Sequence, residues 1–309
     1  MPAAPSLAAS KPTCRAAVLV IGGVNVDLSG CSAAPARPGD SNPGRVAWAP
    51  GGVARNIAAR LVALDPSRPV RLVSAVGRDA AGRALCQATR ATGVDVGGCQ
   101  AFAGAATATY LSLHQPDGEL ISAVNDMAVL ERLTPVRLAR EGAALRGAAA
   151  VVVDANLSAD ALAWLFTQGV AAPLFADPVS AAKCERLRPW LAHVHTLKPN
   201  ALEAAQLCGR SVRTPAQAER AAAWCHAQGV QQVALSLGAQ GLWLSRRGRG
   251  GALRGRWQPA PKVAVHSVTG AGDAMMAALV HATLAGWPLR RTALYATACA
   301  ACALQAPPT

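Results

Sequence analysis

Val268-Thr269-Gly270-Ala271-Gly272-Asp273 runs directly into Ala274–Leu284, an apolar stretch of helical character. Gly270 and Gly272 let backbone N–H groups approach an anion closely. The helix that follows aims its first amides and the positive end of its dipole at the same point. A carboxylate there would repel a phosphate held for its own sake. It makes chemical sense if Asp273 takes a proton from a hydroxyl while the amides hold the group being transferred. The plainer reading is an Asp in a first helical turn that stabilises the dipole and does nothing else. The motif alone leaves both open.

Outward from this motif lie three further signals. Gly51-Gly52 leads into a helix that carries Asn56 one turn in, and twin glycines permit close backbone approach to a ligand. Asn25 and Asp27 lie two apart just after a first apolar strand, Val18–Ile21. Strand ends are where open α/β sheets bind ligands, and a carboxylate beside an amide suits paired sugar hydroxyls. Asn200-Ala201-Leu202-Glu203 follows Lys198-Pro199; on spacing alone it is a capping box. A P-loop is absent. Gly22-Gly23-Val24-Asn25 lacks the later glycine and the helix opening of a dinucleotide fingerprint.

Strand-length apolar runs (Val18–Ile21, Val70–Val76, Ala150–Val153, Leu174–Ala176, Val194–Leu197 and Val233–Leu237) alternate with helical stretches. That rhythm predicts βαβ units around a parallel sheet. Thr134-Pro135 and Thr214-Pro215 read as an N-cap followed by proline at N1, and Gly169, Gly209 and Gly229 as helix ends. Residues 31–50 and about 101–124 break the rhythm; the second contains two strands around Pro116-Asp117-Gly118. Both read as a small β lid over the main sheet. Residues 1–14 read as a loose tail and 15–309 as one domain.

The 309 residues are 52% hydrophobic and 15% charged, which excludes a disordered or collagenous chain, and no apolar run is long enough to cross a bilayer. Lys11 and Arg15 precede an apolar run of only six residues with no cleavage site, so a buried strand is favoured over a signal peptide. Nine irregularly spaced cysteines are not a disulfide framework, and a reducing cytoplasm fits. Cys299 and Cys302 have no second pair to complete a zinc site. His193 and His195, read as alternating on one strand, have no further ligand. The net charge of +13 invites a nucleic-acid reading. Yet only Arg246, Arg247, Arg249, Arg254 and Arg256 cluster, without interleaved aromatics or a recognisable nucleic-acid motif, so no specific nucleic-acid partner is expected.

Together the twin-glycine helix start, Asn200-x-x-Glu203, Ser236-Leu237-Gly238 and the late Gly-Ala-Gly-Asp, in this order, resemble the ribokinase-like (PfkB) family of sugar and nucleoside kinases. Within it, Ser41–Gly44, Pro50–Ile57, Asn125-Asp126-Met127, Asp177–Ala181, His195–Glu203 and Val268–Met276 look most like the members that act on pseudouridine. The resemblance implies a three-layer α/β/α sandwich with a mostly parallel sheet and a β lid. It further implies phosphorylation of a primary hydroxyl by ATP with Mg2+. Asp273 would be the general base, and Gly270, Ala271 and Gly272 the anion hole. Asn25, Asp27, Gly51, Gly52, Asn56 and Asn156 would hold the ribose. Asn200, Ser236 and Gly238 would border ATP, with Glu203 meeting the magnesium through water. Thr107 and Tyr110 of the lid would face the base. The acceptor for the extra ring N–H of pseudouridine would come from around Ser41-Asn42 or Thr107–Tyr110. The lid would also pair two copies into a homodimer.

Two departures stand out. The family usually has an Asp six residues ahead of the catalytic one, where it helps bind a monovalent cation; here that position is Ser267, which predicts a weaker potassium dependence. Thr309 follows soon after the Ala-rich segment expected to line the adenine pocket, so a final helix is expected to be missing or replaced.

Overall fold

The computed structural model describes residues 15–305 apart from 249, 267 and 268. The N-terminal tail, Ser267 and the last four residues therefore lie outside the described residues. In chain order the first strands are β1 (Val18–Ile21), β2 (Asn25–Ser32), β3 (Gly44–Gly51), β4 (Val70–Gly77), β5 (Asp95–Phe102), β6 (Thr109–His114) and β7 (Leu120–Asp126). There follow β8 (Ala150–Asp154), β9 (Leu174–Asp177), β10 (Thr196–Leu197), β11 (Gln232–Ser236), β12 (Gly241–Arg247) and β13 (Leu253–Pro259).

Among the described residues nine strands form one sheet, ordered β13-β12-β11-β10-β9-β8-β1-β4-β5. Only β12 runs opposite to the other eight strands, pairing antiparallel with both β11 and β13. Strand pleating sends alternate residues to opposite faces, and β1 shows the consequence. Val18 and Val20 enter one apolar core, with the helices Val53–Leu64, Ala271–Leu284 and Leu289–Gln305. Leu19 and Ile21 enter the other, with Ala159–Phe166, Ala201–Cys208 and Pro215–Ala227. The mostly parallel sheet is the one that the βαβ rhythm predicts, and the three-layer sandwich is the one that the family resemblance implies.

The chain steps from β1 to β4 and β5 on one side and then crosses back to β8 on the other. Strand order reverses at β1, and open α/β sheets bind ligands beyond the carboxyl ends of the strands at such a point. The loops after β1 and β8 meet there.

A second, four-stranded sheet, β3-β2-β6-β7, stands over that crevice. Asn25 and Asp27, which the sequence places just past the first strand, are the start of its strand β2. The β6–β7 hairpin closes around Pro116-Asp117-Gly118, with Gln115 N–H donating to Glu119 O at 2.8 Å.

Local signals hold unevenly. Thr214-Pro215 opens its helix with a complete capping box, and Gly209 ends the preceding one in the left-handed conformation. Thr134-Pro135 opens a helix of only four residues without a side-chain cap. The run Val194–Leu197 contributes only Thr196 and Leu197 to the sheet. His193 is a correction: it closes a 3-10 helix, Glu185–His193, and does not alternate with His195 on a strand. No helix among the described residues is long and apolar enough to cross a membrane.

Candidate active site

Asp154, at the carboxyl end of β8, ties the crevice together. Its Oδ2 accepts the N–H of Gly23 at 2.8 Å and of Ala54 at 3.1 Å, and its Oδ1 accepts Asn156 N–H at 3.0 Å. The helix Val53–Leu64 begins at Gly52, which has no side chain with which to cap it. The buried carboxylate, far away in sequence, satisfies that helix's amide instead. Burial pushes the Asp154 pKa up to about 6, against the pull of the Gly23 and Asn156 amides. Gly52 has φ +101°, and a Cβ there would stand 2.5 Å from Gly23 O and 2.6 Å from Val24 Cα. Only glycine fits this approach.

Asn56 projects from the first turn of that helix and donates through Nδ2 to Asp273 Oδ2 at 2.9 Å. Its Oδ1 accepts from Arg55, which fixes the amide's orientation. Two motifs 217 residues apart thus share one hydrogen bond. Asp273 lies in the first turn of Ala271–Leu284, whose cap, Gly270, is left-handed at φ +81°. Among the described residues, none beyond its chain neighbours has an atom within 4 Å of where a Gly270 side chain would begin. The first intrahelical bond runs from Ala274 N–H to Gly270 O, so the amides of Ala271, Gly272 and Asp273 have no partner inside the helix.

Asp273 is almost completely buried. Burial first, then the nearby carboxylate of Asp177, push its pKa up to about 7; the Asn56 bond and Lys198 oppose this. Lys198 Nζ is 3.1 Å from Asp177 Oδ2, and a Cβ on Gly272 would meet that same Nζ at 3.2 Å. Burial alone would lower the Lys198 pKa, but Asp177, Glu203 and Asp273 outweigh it and hold the ammonium above its ordinary value. Asp177 also accepts the N–H of Val179 at 2.9 Å. Val179 is left-handed at φ +67°, an expensive conformation for a β-branched residue, which costs about 1–3 kcal/mol.

Asn200 and Glu203 form the capping box that their spacing announces, with Glu203 carboxylate oxygens accepting Asn200 N–H at 2.9 Å and Asn200 Nδ2 at 2.8 Å. Asn200 bridges Ser236 at the end of β11, and Gly238 opens the next turn at φ +53°. Asn200, Glu203, Ser236 and Gly238 therefore lie together at the ends of β10 and β11.

On the lid, Asn25 donates to Asp27 at 2.6 Å, and Asn25 pairs in register with Gly51. Tyr110 lies opposite Asp27. Thr107 is otherwise employed: its hydroxyl donates to Asp79 at 2.6 Å and accepts Gly77 N–H at 3.0 Å, pinning the entry to β6. The amide of Asn42 is likewise spent within its own loop, on Arg37 and Asp40. Asn156 faces the crevice and accepts from Lys183 at 2.6 Å.

Sequence reasoning assigned no role to Asp154, Asp177, Lys198 or Arg55. The available signal was weak: a carboxylate closing each of two apolar strands, and one lysine in a chain whose other basic residues are nearly all arginine.

The pfkB family carbohydrate kinase model matches residues 15–309. The pseudouridine kinase of Escherichia coli (strain K12) is 40% identical over 288 residues, covering 93% of this chain and 90% of that protein. A solved carbohydrate kinase from Agrobacterium tumefaciens is 29% identical with a TM-score of 0.80, covering 94% of this chain and 92% of the other. The ribokinase of Arabidopsis thaliana, solved with ribose and ATP, shares the fold with a TM-score of 0.79 at 24% identity, covering 95% of this chain and 94% of its own. The chain belongs to the pfkB family of carbohydrate kinases, phosphotransferases with an alcohol group as acceptor.

Proposed function

We propose that the protein transfers the γ-phosphoryl group of ATP to the 5′-hydroxyl of pseudouridine, giving pseudouridine 5′-phosphate and ADP. The observation that carries this reading is the Asn56–Asp273 hydrogen bond, which joins the sugar-side helix to a carboxylate at the open anion turn. The 40% identity to a pseudouridine kinase supports the choice of nucleoside. Asn25, Asp27, Gly51, Gly52 and Asn56 hold the ribose, with Asn156 at the strand end. Asp273 takes the hydroxyl proton as the new O–P bond forms and the bond from Pγ to the β-phosphate oxygen breaks. The amides of Ala271 and Gly272 meet the charge on the transferring group, and positioning with electrostatics supplies most of the rate in such transfers.

No group of three or more metal-ligating side chains converges among the described residues. The donors present suit Mg2+ brought by the nucleotide, since that ion keeps several waters and takes few protein ligands. Glu203 spends one contact of each oxygen on its cap, which leaves lone pairs for a metal-bound water. When bound, the ion neutralises charge on the β- and γ-phosphates. Asn200, Ser236 and Gly238 border the nucleotide.

ADP release measured across pseudouridine, uridine, adenosine, ribose and fructose tests the reading. Pseudouridine is expected to show the highest kcat/KM, with an acid limb near pH 7 set by Asp273. Equal efficiency on free ribose would make a general ribokinase the better description. Of the clustered arginines, Arg246 donates to Gln232 at 2.7 Å and Arg247 to the carbonyl of His226, while Arg249 lies outside the described residues.

The lid also supports a homodimer. Leu28 pairs with Trp48 and Leu111, and Leu111 with Val124, so these side chains share one face of the sheet. Trp48, Leu111 and Val124 are exposed on it, with Val46 and Leu113 alongside. Exposed apolar area of this extent marks an interaction surface. Light scattering is expected to give twice the chain mass for the native protein and the single mass for Trp48→Glu combined with Leu111→Glu. A native monomer at micromolar concentration would rule the pairing out.

A further inference from the structure

A cavity of about 500 Å3, lined by both polar and apolar groups, opens beside the ribose crevice, between the lid and the core. Its wall includes Asn125 and Asp126 at the end of β7, Asn156 and Ser158 after β8, and Lys183 and Arg186 beyond β9. Asn125 is in register with Tyr110, and Tyr110 with Asp27, so the three stand on one face of the lid sheet. Two strand spacings separate Asp27 from Asn125, about 10 Å. Across the cleft, Asn156 Nδ2 abuts Gly23, 2.6 Å from where a Cβ would stand. The cavity therefore extends the ribose crevice sideways, with room for a nucleobase.

Most of its polar groups are engaged: Arg186 donates to the carbonyls of Ala155 and Leu157, Ser158 accepts Ala161 N–H and Asp126 accepts Ala128 N–H. Asn125 has no side-chain hydrogen-bond partner among the described residues. Lys183 Nζ donates to Asn156 Oδ1 at 2.6 Å and retains two further N–H groups. A pyrimidinedione base presents carbonyl acceptors and ring N–H donors, and a C-linked one presents an N–H that the N-linked isomer lacks. Thr107 and Asn42 are held by other partners, Thr107 by Asp79 and Gly77 and Asn42 by Arg37 and Asp40, whereas the Asn125 amide is held by none of the described residues. The geometry points to Asn125 as the specificity-determining acceptor for that second ring N–H, with Lys183 donating to a ring carbonyl. An amide accepts here without the desolvation cost that a carboxylate would carry. The assignment rests on the nucleoside-kinase reading above.

The test compares native protein, Asn125→Ala and Lys183→Met on pseudouridine, uridine and ribose. Asn125 is exposed, and Asn125→Ala is expected to lower kcat/KM on pseudouridine by about threefold to tenfold, the net worth of one hydrogen bond. Uridine and ribose stay at native rates. Lys183→Met lowers both nucleosides more than ribose, which feels only the lost bond to Asn156. Titration of pseudouridine without ATP should rank the three proteins in the same order. An Asn125→Ala variant that keeps the native pseudouridine-to-uridine ratio, or loses all three substrates equally, overturns the assignment while leaving the kinase reading intact. Native protein inactive on pseudouridine but active on another substrate overturns the substrate reading itself, and this assignment with it.

Discussion

Asp273→Asn is expected to lose about 10²–10⁴ of kcat and, at pH 8, to melt at a higher temperature than the native protein. The two effects share one cause. The native carboxylate is buried beside Asp177, and its pKa rises from 3.8 to about 7. The folded state therefore holds this proton more tightly than the unfolded chain does, so stability falls as pH rises from about 4 through 7. Above pH 7 the full cost of a buried charge is present, on the order of a few kcal/mol. Asparagine keeps the shape and can still accept from Asn56, but carries no charge and takes no proton. Calorimetry at pH 5 and pH 8 should show the melting difference shrinking at the lower pH, where the native carboxyl is itself neutral. A lower melting temperature at pH 8 would contradict the buried-charge argument. A retained kcat would remove Asp273 from the role of base.

Lys198→Met should move the acid limb of kcat/KM upward from about 7 and destabilise the fold by about 3–5 kcal/mol, the usual consequence of removing one partner of a buried pair. Lys198 is the cation that faces Asp177, Glu203 and Asp273 together. Without it each carboxylate is harder to ionise, and more of the base is protonated at neutral pH. The loss of stability should be smaller at pH 5 than at pH 8, because protonation relieves the uncompensated charge. Lys198→Arg is not expected to restore the native profile. The guanidinium is a wide planar fork, and the lysine head already lies 3.2 Å from where a Gly272 Cβ would be. Denaturation curves and pH–rate profiles separate the two effects: a variant that is less stable but keeps its acid limb near 7 would make Lys198 purely structural.

The parts of this site that were legible are those in which a local pattern and a physical function coincide. Gly270-Ala271-Gly272-Asp273 announces a helix start, an open turn and a carboxylate within four residues. Asn200 and Glu203 announce a cap by their spacing, and the cap is present. Gly51-Gly52 announces a close approach, although not what is approached. The roles of Thr107 and Asn42 were not legible, because each side chain serves whichever polar group the fold brings near it: Asp79 for one, its own loop for the other. His193 was misread because a short apolar run does not show where a strand begins; the preceding 3-10 helix extends through it.

By itself, the sequence determined the alternation of apolar strands and helices, hence a parallel sheet, and the place of the glycine-rich helix start that carries Asp273. These are decided within a few residues by pleat, helix period and the backbone freedom of glycine. The tertiary structure alone decided which groups face Asp273. Asp154 reaches Ala54 across 100 residues, and Asn56 reaches Asp273 across 217. Lys198 joins them only because β9 and β10 are neighbours in the sheet. A charge acquires its pKa and its partner from the groups packed against it, and that packing exists only once the strand order is set.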